Sequence, residues 1–287
     1  MRTSKDPVNA ASSDTIEPDS QRRKLLAAAA GFAAAALAPG AGAPSAPPAV
    51  APGSNSLRRF ARMFGGRDGE DVLWWFMEEI YLQTVGESVV PLGRPMTLGV
   101  VHGLGGNDQE YRYRYREAGV LLDLATAEPL RRNPITGAAM ETPVLSDPSN
   151  VVEWKLLPDG TIAKRAHDRI STAHQRWTIT GENVFLLETH PGPHAFALAS
   201  GDAGADGAQV QSTHTFYARR KDLEGDGFVP TQWIFNISTR TLPAWLSFSD
   251  GRERRLIVRG LGTKSRVRDI VNPDTLDWVR KYYPGFL

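Results

Sequence analysis

Short apolar runs separated by turn residues recur along the chain from residue 72 onward. Residues 72–77 form a continuous apolar and aromatic run of strand length, and residues 97–102 form a second one. Turn sequences rich in Asn, Pro, Asp and Gly, such as residues 133–137 and 158–160, separate these runs. Many short strands with frequent turns favour an antiparallel barrel or sandwich over alternating strands and helices.

Other segments continue the same pattern. Residues 57–64 predict a short basic helix, and residues 273–282 predict a helix near the C-terminus, with Asn272 as its cap. The fold class predicted is therefore mainly β: an antiparallel barrel of the calycin or lipocalin kind, or a sandwich, with short helices. The further strand-like runs are residues 110–124, 151–156, 161–166, 176–179, 184–190, 213–219, 233–239 and 256–261.

The N-terminal segment has the pattern of an export signal. Arg22 and Arg23 directly precede a short, alanine-rich apolar run, which is typical of a twin-arginine signal. This run, residues 25–38, is shorter than the about 20 residues that a membrane-spanning helix needs. We predict that residues 1–51 are a signal peptide and a Pro/Ala/Gly-rich tether, and that residues 52–287 are a single β-rich domain.

This signal implies a compartment and a partner. The Tat translocase would carry the protein to the periplasm or otherwise out of the cytoplasm, and an uncleaved signal would leave it tethered to the membrane. We predict no stable membrane span in the mature chain.

Composition excludes several function classes. The chain has no cysteine, which rules out disulfides, thiolate catalysis and cysteine-ligated metal clusters. The formal net charge of +1 gives no global field for nucleic acid, so we predict no nucleic-acid partner. Motifs for phosphate or dinucleotide binding are missing, and we predict no cofactor.

The most regular stretch alternates tyrosine and arginine over residues 110–117. On a strand, Tyr113 and Tyr115 share one face with Glu117, while the arginines occupy the other. Three interpretations stay open: a tyrosine-lined core wall, a ligand pocket, or a stacking surface for nucleic acid, which the neutral net charge disfavours. If the tyrosine face points inward, burial raises the pKa of Glu117 and makes it a possible acid or base.

Histidines and acidic loops offer weaker signals. His190 and His194 flank a proline turn with Glu188 nearby, but a third metal ligand is not visible. Residues 222–227 resemble the opening of a calcium loop without its required twelfth-position glutamate. We therefore predict no metal site, and His190 is a second candidate, after Glu117, for proton transfer.

Several landmarks together resemble a known family. In order, they are residues 73–75, 113–117, 133–137, 147–148 and 278–284, and they span nearly the whole mature chain. They are similar to the domain-of-unknown-function family numbered eighteen thirty-eight, of bacteria and fungi, in which many bacterial members carry twin-arginine signals. Residues 123–128 and 242–246 depart from the family pattern. The family has no agreed activity, so the resemblance implies no catalytic residues.

Three functions follow as hypotheses. The first is an exported protein that binds a small apolar or aromatic molecule in a barrel cavity, with Trp74 or Trp75 as stacking walls. Tyr113 and Tyr115 would line that cavity, and Glu117 would be its polar anchor. The second is a cofactor-independent isomerase, cyclase or lyase that uses Glu117 or His190 for proton transfer. The third is a structural envelope protein without a pocket.

Overall fold

Ten antiparallel strands close into a barrel in the computed structural model, which describes residues 56–142, 144–166, 169–192, 209–246, 248–266, 277, 279–281 and 283–286. The predicted signal and tether, residues 1–51, lie outside the described residues. The strands are β1 (Asp71–Thr84), β2 (Val90–Gly106), β3 (Glu110–Leu122), β4 (Val144–Leu156), β5 (Ile162–Ala166), β6 (Arg169–Thr180), β7 (Asn183–His190), β8 (Gln209–Arg219), β9 (Gln232–Arg240) and β10 (Arg254–Arg266).

Each strand pairs with its neighbour in the chain, and β1 also pairs with β10 to close the barrel. Trp74 of β1, for example, lies opposite Gly99 of β2 on one side and Lys264 of β10 on the other. The predicted mainly antiparallel β fold is confirmed, and of the two architectures it is the barrel. Closure leaves no unpaired strand edge among these ten strands, which removes the usual site of edge-to-edge association.

Strand β2 contains several glycines in its second half. Gly103 and Gly106 both belong to it. A Cβ atom on Gly103 would lie 2.9 Å from the backbone oxygen of Arg67, so glycine is needed here because another part of the backbone packs closely against the strand.

Short helices accompany the barrel at α1 (Ser56–Phe64) and α2 (Arg220–Glu224), together with a 3₁₀ turn at Ala244–Leu246. The predicted basic helix at residues 57–64 is thus confirmed. Among the described residues near the C-terminus, Asp277 and residues 279–281 are helical, as predicted. Val279 packs on the outer face of the barrel against Leu73 and Leu98. No helix within the described ranges is both long and apolar enough to span a membrane.

The barrel interior has an apolar layer at each end. The larger layer is aromatic and includes Trp74, Phe76, Tyr113, Trp154 and Phe216. The smaller layer is aliphatic and includes Ile80, Leu82, Leu92, Leu256 and Val258.

The register places polar residues between these layers. On β1, Glu78 lies between Phe76 of the aromatic layer and Ile80 of the aliphatic layer. On β8, His214 is the next inward residue after Phe216. The lumen therefore contains a polar level enclosed by two apolar ones.

Helix α1 packs into the aromatic layer. Leu57, Phe60 and Met63 are at most 1% exposed and recur at spacings of three, as expected for the buried stripe of an amphipathic helix. The last turn is closed by the barrel itself: the indole Nε1 of Trp74 donates to the carbonyl oxygen of Phe64 at 2.7 Å. The Lys264 ammonium donates to two further carbonyls at 2.8 Å each. These donors satisfy carbonyl groups that a helix end leaves without partners.

The Trp74 hydrogen bond gives a testable prediction. Trp74→Phe keeps most of the buried ring but leaves the Phe64 carbonyl without its donor, so we expect the free energy of unfolding to fall by about 1–3 kcal/mol. Urea unfolding followed by far-ultraviolet circular dichroism measures the loss. The matched control is Trp75→Phe, because the indole nitrogen of Trp75 has no hydrogen-bond partner among the described residues. Equal losses in the two variants would contradict the capping role.

Candidate functional site

A row of buried polar side chains crosses one wall of the lumen, on β5 through β9. We call it the polar belt. Its buried members are Lys164, Glu188, His190, Ser212, His214 and Asn236, and the partly buried Gln175 completes it.

Strand register explains why these residues meet. Gln175 lies opposite Glu188, Glu188 lies opposite His214, and His214 lies opposite Asn236. Directly paired residues point to the same face of an antiparallel sheet, with Cβ atoms about 4.5–5.5 Å apart. Four adjacent strands therefore contribute one row of inward-facing polar groups.

Glu188 is the centre of the belt. One carboxylate oxygen, Oε1, lies 2.8 Å from Nε2 of His190, and the other, Oε2, accepts a hydrogen bond of 2.8 Å from the amide of Gln175. His190 is 1% exposed and Glu188 is 3% exposed, so these contacts lie away from bulk water. The Glu188 carboxylate is consequently fixed in orientation by its neighbours.

Charge is balanced inside this site. Desolvation acts to raise the pKa of Glu188, but the hydrogen bond and charge of His190, with smaller contributions from His214 and Lys164, outweigh it and lower that pKa. Burial lowers the pKa of Lys164 to about 7, partly offset by the Glu188 charge. The Lys164 ammonium also lies 5.0 Å from the centre of the Trp154 ring.

Burial favours the neutral form of both histidines. Burial lowers the pKa of His214 to about 3 and also lowers the pKa of His190. Their ring centres lie 5.5 Å apart at an angle of 70°. A neutral imidazole nitrogen with a lone pair can accept a proton, accept a hydrogen bond or bind a metal ion.

A second carboxylate adjoins the belt from β1. Oε1 of Glu78 accepts a hydrogen bond of 2.8 Å from the amide of Asn236. A Cβ atom on Gly260, the residue opposite Glu78, would come within 2.6 Å of the Glu78 side chain, so glycine leaves the space that this side chain occupies. Desolvation raises the pKa of Glu78, against the opposing charge of Arg240.

Several polar atoms of the belt have no hydrogen-bond partner within the part of the chain that the structure describes. Buried polar atoms in native proteins are nearly always paired, so a group of exceptions at one level marks a place where a bound molecule or water completes the pairing. The atoms are Gln175 Oε1, Ser212 Oγ, His214 Nδ1 and Asn236 Oδ1.

The structure separates the two tryptophans that sequence reasoning grouped together. Trp74 is fully buried in the aromatic layer and caps α1, whereas Trp75 points to the outer face of the barrel. There Trp75, Met77 and Leu261 line an apolar groove of about 270 Å³. Their predicted ligand-binding role stays a prediction, but the two residues cannot line one cavity.

The tyrosine strand has the predicted alternation at its start. Tyr113 and Tyr115 are buried, while the intervening Arg114 is exposed. The hydroxyl of Tyr113 accepts a hydrogen bond of 3.1 Å from the indole of Trp154, which fixes it within the aromatic layer. The hydroxyl of Tyr115 donates to Glu117 at 2.9 Å. Glu117 itself is only partly buried and belongs to a separate group from the polar belt.

Sequence reasoning found two members of the belt and missed the others. His190 and Glu188 were singled out because His194 is close to them in the chain, and His194 lies outside the described residues. The spatial partners are His214 and Gln175, on the two strands that flank β7. The sequence of β8 did contain a signal for these residues. Ser212 and His214 alternate with the outward residues of β8 and share the inward face with Phe216.

The groove and the belt share one side chain. Trp233 lines the outer groove, and its ring centre lies 4.6 Å from that of His214. A register shift in β9 places both Ile234 and Phe235 opposite Leu261, and all three are exposed. Such a bulge locally bends a strand and interrupts its ladder. The wall between groove and lumen is therefore irregular at Trp233.

The chain matches no protein-family model and no curated protein sequence. Among solved structures, it shows a likeness to Ail, the attachment invasion locus protein of Yersinia pestis, with a TM-score of 0.20 and 8% sequence identity. The alignment covers 69% of this chain and 99% of Ail. A β-barrel of the observed kind is compatible with a ligand-binding protein or an envelope protein.

Proposed function

We propose that this chain is an exported β-barrel protein that binds a small aromatic molecule bearing polar groups, inside the lumen at the polar belt. The observation that carries the proposal is the set of buried belt atoms without partners, at Gln175, Ser212, His214 and Asn236. A ligand with hydrogen-bonding groups would complete their pairing. Export by the twin-arginine route and membership of the resembling family remain part of this proposal, carried by the sequence alone.

The neighbours of the belt favour an aromatic ligand. The Trp154 ring centre lies 6.3 Å from that of His190, and Trp233 lies 4.6 Å from His214. These rings supply flat apolar walls beside the polar row. A small site with aromatic walls and a few fixed polar groups is the usual composition of a ligand pocket.

The outer groove supplies a route of entry. Trp233 is partly exposed and contacts both the groove and the belt, and the strand ladder is interrupted at this point. A ligand that enters from the groove would have to displace this one side chain to reach the belt. Trp75 would then act as an outer wall of the entrance rather than as a wall of the binding site.

Native mass spectrometry of the full chain, purified from its own envelope, tests the proposal. A retained organic mass of one molecule per chain supports it and identifies the ligand class. Protein that carries no such mass and binds no member of an aromatic-acid and aromatic-amine panel would contradict it, and would favour the structural envelope protein.

Ser212→Ala separates ligand binding from folding. The variant deletes a buried hydroxyl that has no partner among the described residues, so we expect the ligand-free barrel to be unchanged or stabilised. With a ligand, it loses one hydrogen bond, and we expect affinity to fall about threefold to tenfold. Isothermal titration measures the affinity and thermal unfolding measures the stability. Thr213→Ala, the outward neighbour on the same strand, is the control and should change neither quantity appreciably.

A second candidate function is acid–base catalysis without a cofactor, as an isomerase, cyclase or lyase. The 2.8 Å contact between Glu188 and His190 favours it, because a carboxylate that orients a neutral imidazole is a common proton-transfer pair. Turnover of the retained molecule would establish the activity. Loss of turnover in Glu188→Gln would assign it to the belt, whereas loss only in Glu117→Gln would assign it to the Tyr115–Glu117 pair.

A further inference from the structure

We propose that Glu188, His190 and His214 bind one divalent transition-metal ion of the zinc type. One ligand atom from each residue lies within 4.8 Å of those from the other two. The three side chains come from adjacent strands, β7 and β8, whose register sets Glu188 directly opposite His214. The inference deepens the proposed function, because it names the first species bound at the same lumen site.

The donor set suits zinc. Two imidazoles and one carboxylate, with a fourth position open, are typical of zinc sites that also bind a small molecule. In a tetrahedral site with bonds of about 2.0–2.1 Å, neighbouring ligand atoms lie about 3.4 Å apart. The Glu188 and His190 atoms are 2.8 Å apart, and rotations of the three side chains within the 4.8 Å limit would bring the set to that spacing.

A second, independent observation points to a bound species here. The Nδ1 atom of His214, a residue only 7% exposed, has no hydrogen-bond partner among the described residues, and neither does Oγ of Ser212 nearby. A buried imidazole nitrogen without a partner is a donor or an acceptor according to the tautomer, and the tautomer that leaves Nδ1 without a proton presents a lone pair. Metal coordination, direct or through a bound water, uses such a lone pair.

Metal ligands in proteins are usually oriented by hydrogen bonds from residues that do not bind the metal themselves, and Glu188 has such a partner. Gln175 donates to Oε2 of Glu188, which leaves Oε1 directed at His190. Such partners fix the orientation of ligands, and their loss typically weakens metal binding about 10–100-fold.

One charge opposes a bound cation. Lys164 is buried and acts electrostatically on Glu188 and on both histidines. Its ammonium would compete with a divalent ion for the same carboxylate. This repulsion between Lys164 and a bound cation allows a test in which all three metal ligands are kept. Lys164→Met should strengthen metal binding, because it removes the opposing charge and deletes no ligand.

Zinc titration of the full chain, dialysed first against a chelator, tests the site. We expect one zinc ion per chain by competition with a chromophoric chelator, and visible bands of tetrahedral cobalt on substitution with Co²⁺. His214→Gln and Glu188→Gln should each weaken binding by about 100-fold or more, beyond the loss for an outer partner. Lys164→Met should strengthen it on the order of tenfold. His174→Gln, on the exposed face of β6, is the control and should bind as the wild type does.

The outcomes separate the two proposals. Wild-type protein that binds no zinc, or binding that survives both His214→Gln and Glu188→Gln, overturns the metal site. If a ligand-removing variant unfolds, as judged by near-ultraviolet circular dichroism, the Lys164→Met result decides, and unchanged or weaker zinc binding there also overturns it. An organic molecule retained by metal-free protein would leave the proposed function standing without the metal. If the protein binds zinc but takes up no organic molecule, the metal site stands and the proposed binding of an organic ligand does not.

Discussion

Phe60→Ala is expected to destabilise the barrel by about 3–5 kcal/mol, as truncation of a fully buried aromatic residue does. Phe60 is 1% exposed, and its ring centre lies 4.4 Å from Trp154 and 5.4 Å from Phe64. Truncation would leave a cavity between α1 and the barrel wall, because the surrounding rings are held by other contacts. Urea unfolding followed by circular dichroism measures the effect.

Arg58→Ala is the matched control on the same helix. Its side chain is 66% exposed, and its ion pair with Asp108 at 3.3 Å lies at the surface. Such pairs contribute about 0–1 kcal/mol, so the control should lose no more than that. Equal, small losses in both variants would mean that α1 does not form part of the folded core. The aromatic end of the lumen would then be open to a ligand, and the site would move from the belt to Trp74 and Tyr113.

The local pattern of apolar and polar residues was sufficient to predict the strands and the mainly β fold class. The alternation of buried and exposed residues at Tyr113, Arg114 and Tyr115 follows directly from a period of two. Closure into a barrel was one of the two predicted architectures. It depends on the pairing of β1 with β10, which joins the two ends of the described domain. No local signal distinguishes that pairing from the edge of a sandwich.

The tyrosine strand keeps its period of two through Glu117. Tyr113, Tyr115 and Glu117 lie opposite Gly103, Val101 and Gly99 of β2 without a register shift, and the hydroxyl of Tyr115 donates to Glu117. Glu117 therefore shares the tyrosine face, as a period of two predicts. The pairing of β3 with β4 does shift between Tyr115 and Glu117, and such irregularities have no reliable sequence signature. Spacing alone also did not predict that Glu117 is only partly buried.

Register accounts for the residues that sequence reasoning missed. His190 was considered as a ligand with His194, its neighbour in the chain, whereas in space its partner is His214 on the next strand. A polar row across β6 to β9 forms only when three successive strand pairings, β6 with β7, β7 with β8 and β8 with β9, keep each strand in step with the last. A shift of one residue in any of those pairings would point the polar side chains outward. The belt is thus a property of the pairing and not of any single segment.

The metal-free barrel is expected to lose stability steeply in mild acid because of its neutral histidines. The unfolded chain binds a proton at each histidine near pH 6.5, whereas burial lowers the pKa of His214 to about 3 and also lowers the pKa of His190. Between these limits the unfolded state binds more protons than the folded state, so the free energy of unfolding falls as the pH decreases. His214 alone should contribute about 1.4 kcal/mol per pH unit, and His190 adds to the slope in the same direction.

Other charges of the belt modify this slope in known directions. The lowered pKa of Glu188 adds a further loss of stability as the pH falls below about 4.5, and the raised pKa of Glu78 acts in the opposite sense. Urea unfolding between pH 4 and pH 6.5, with a chelator present, gives the slope. His214→Phe should reduce it by about 1.4 kcal/mol per pH unit, whereas His174→Phe should not, because His174 is exposed on the folded barrel. An unchanged slope in His214→Phe would show that this imidazole is hydrated in the folded protein, and the belt would then be open to water rather than closed around a ligand.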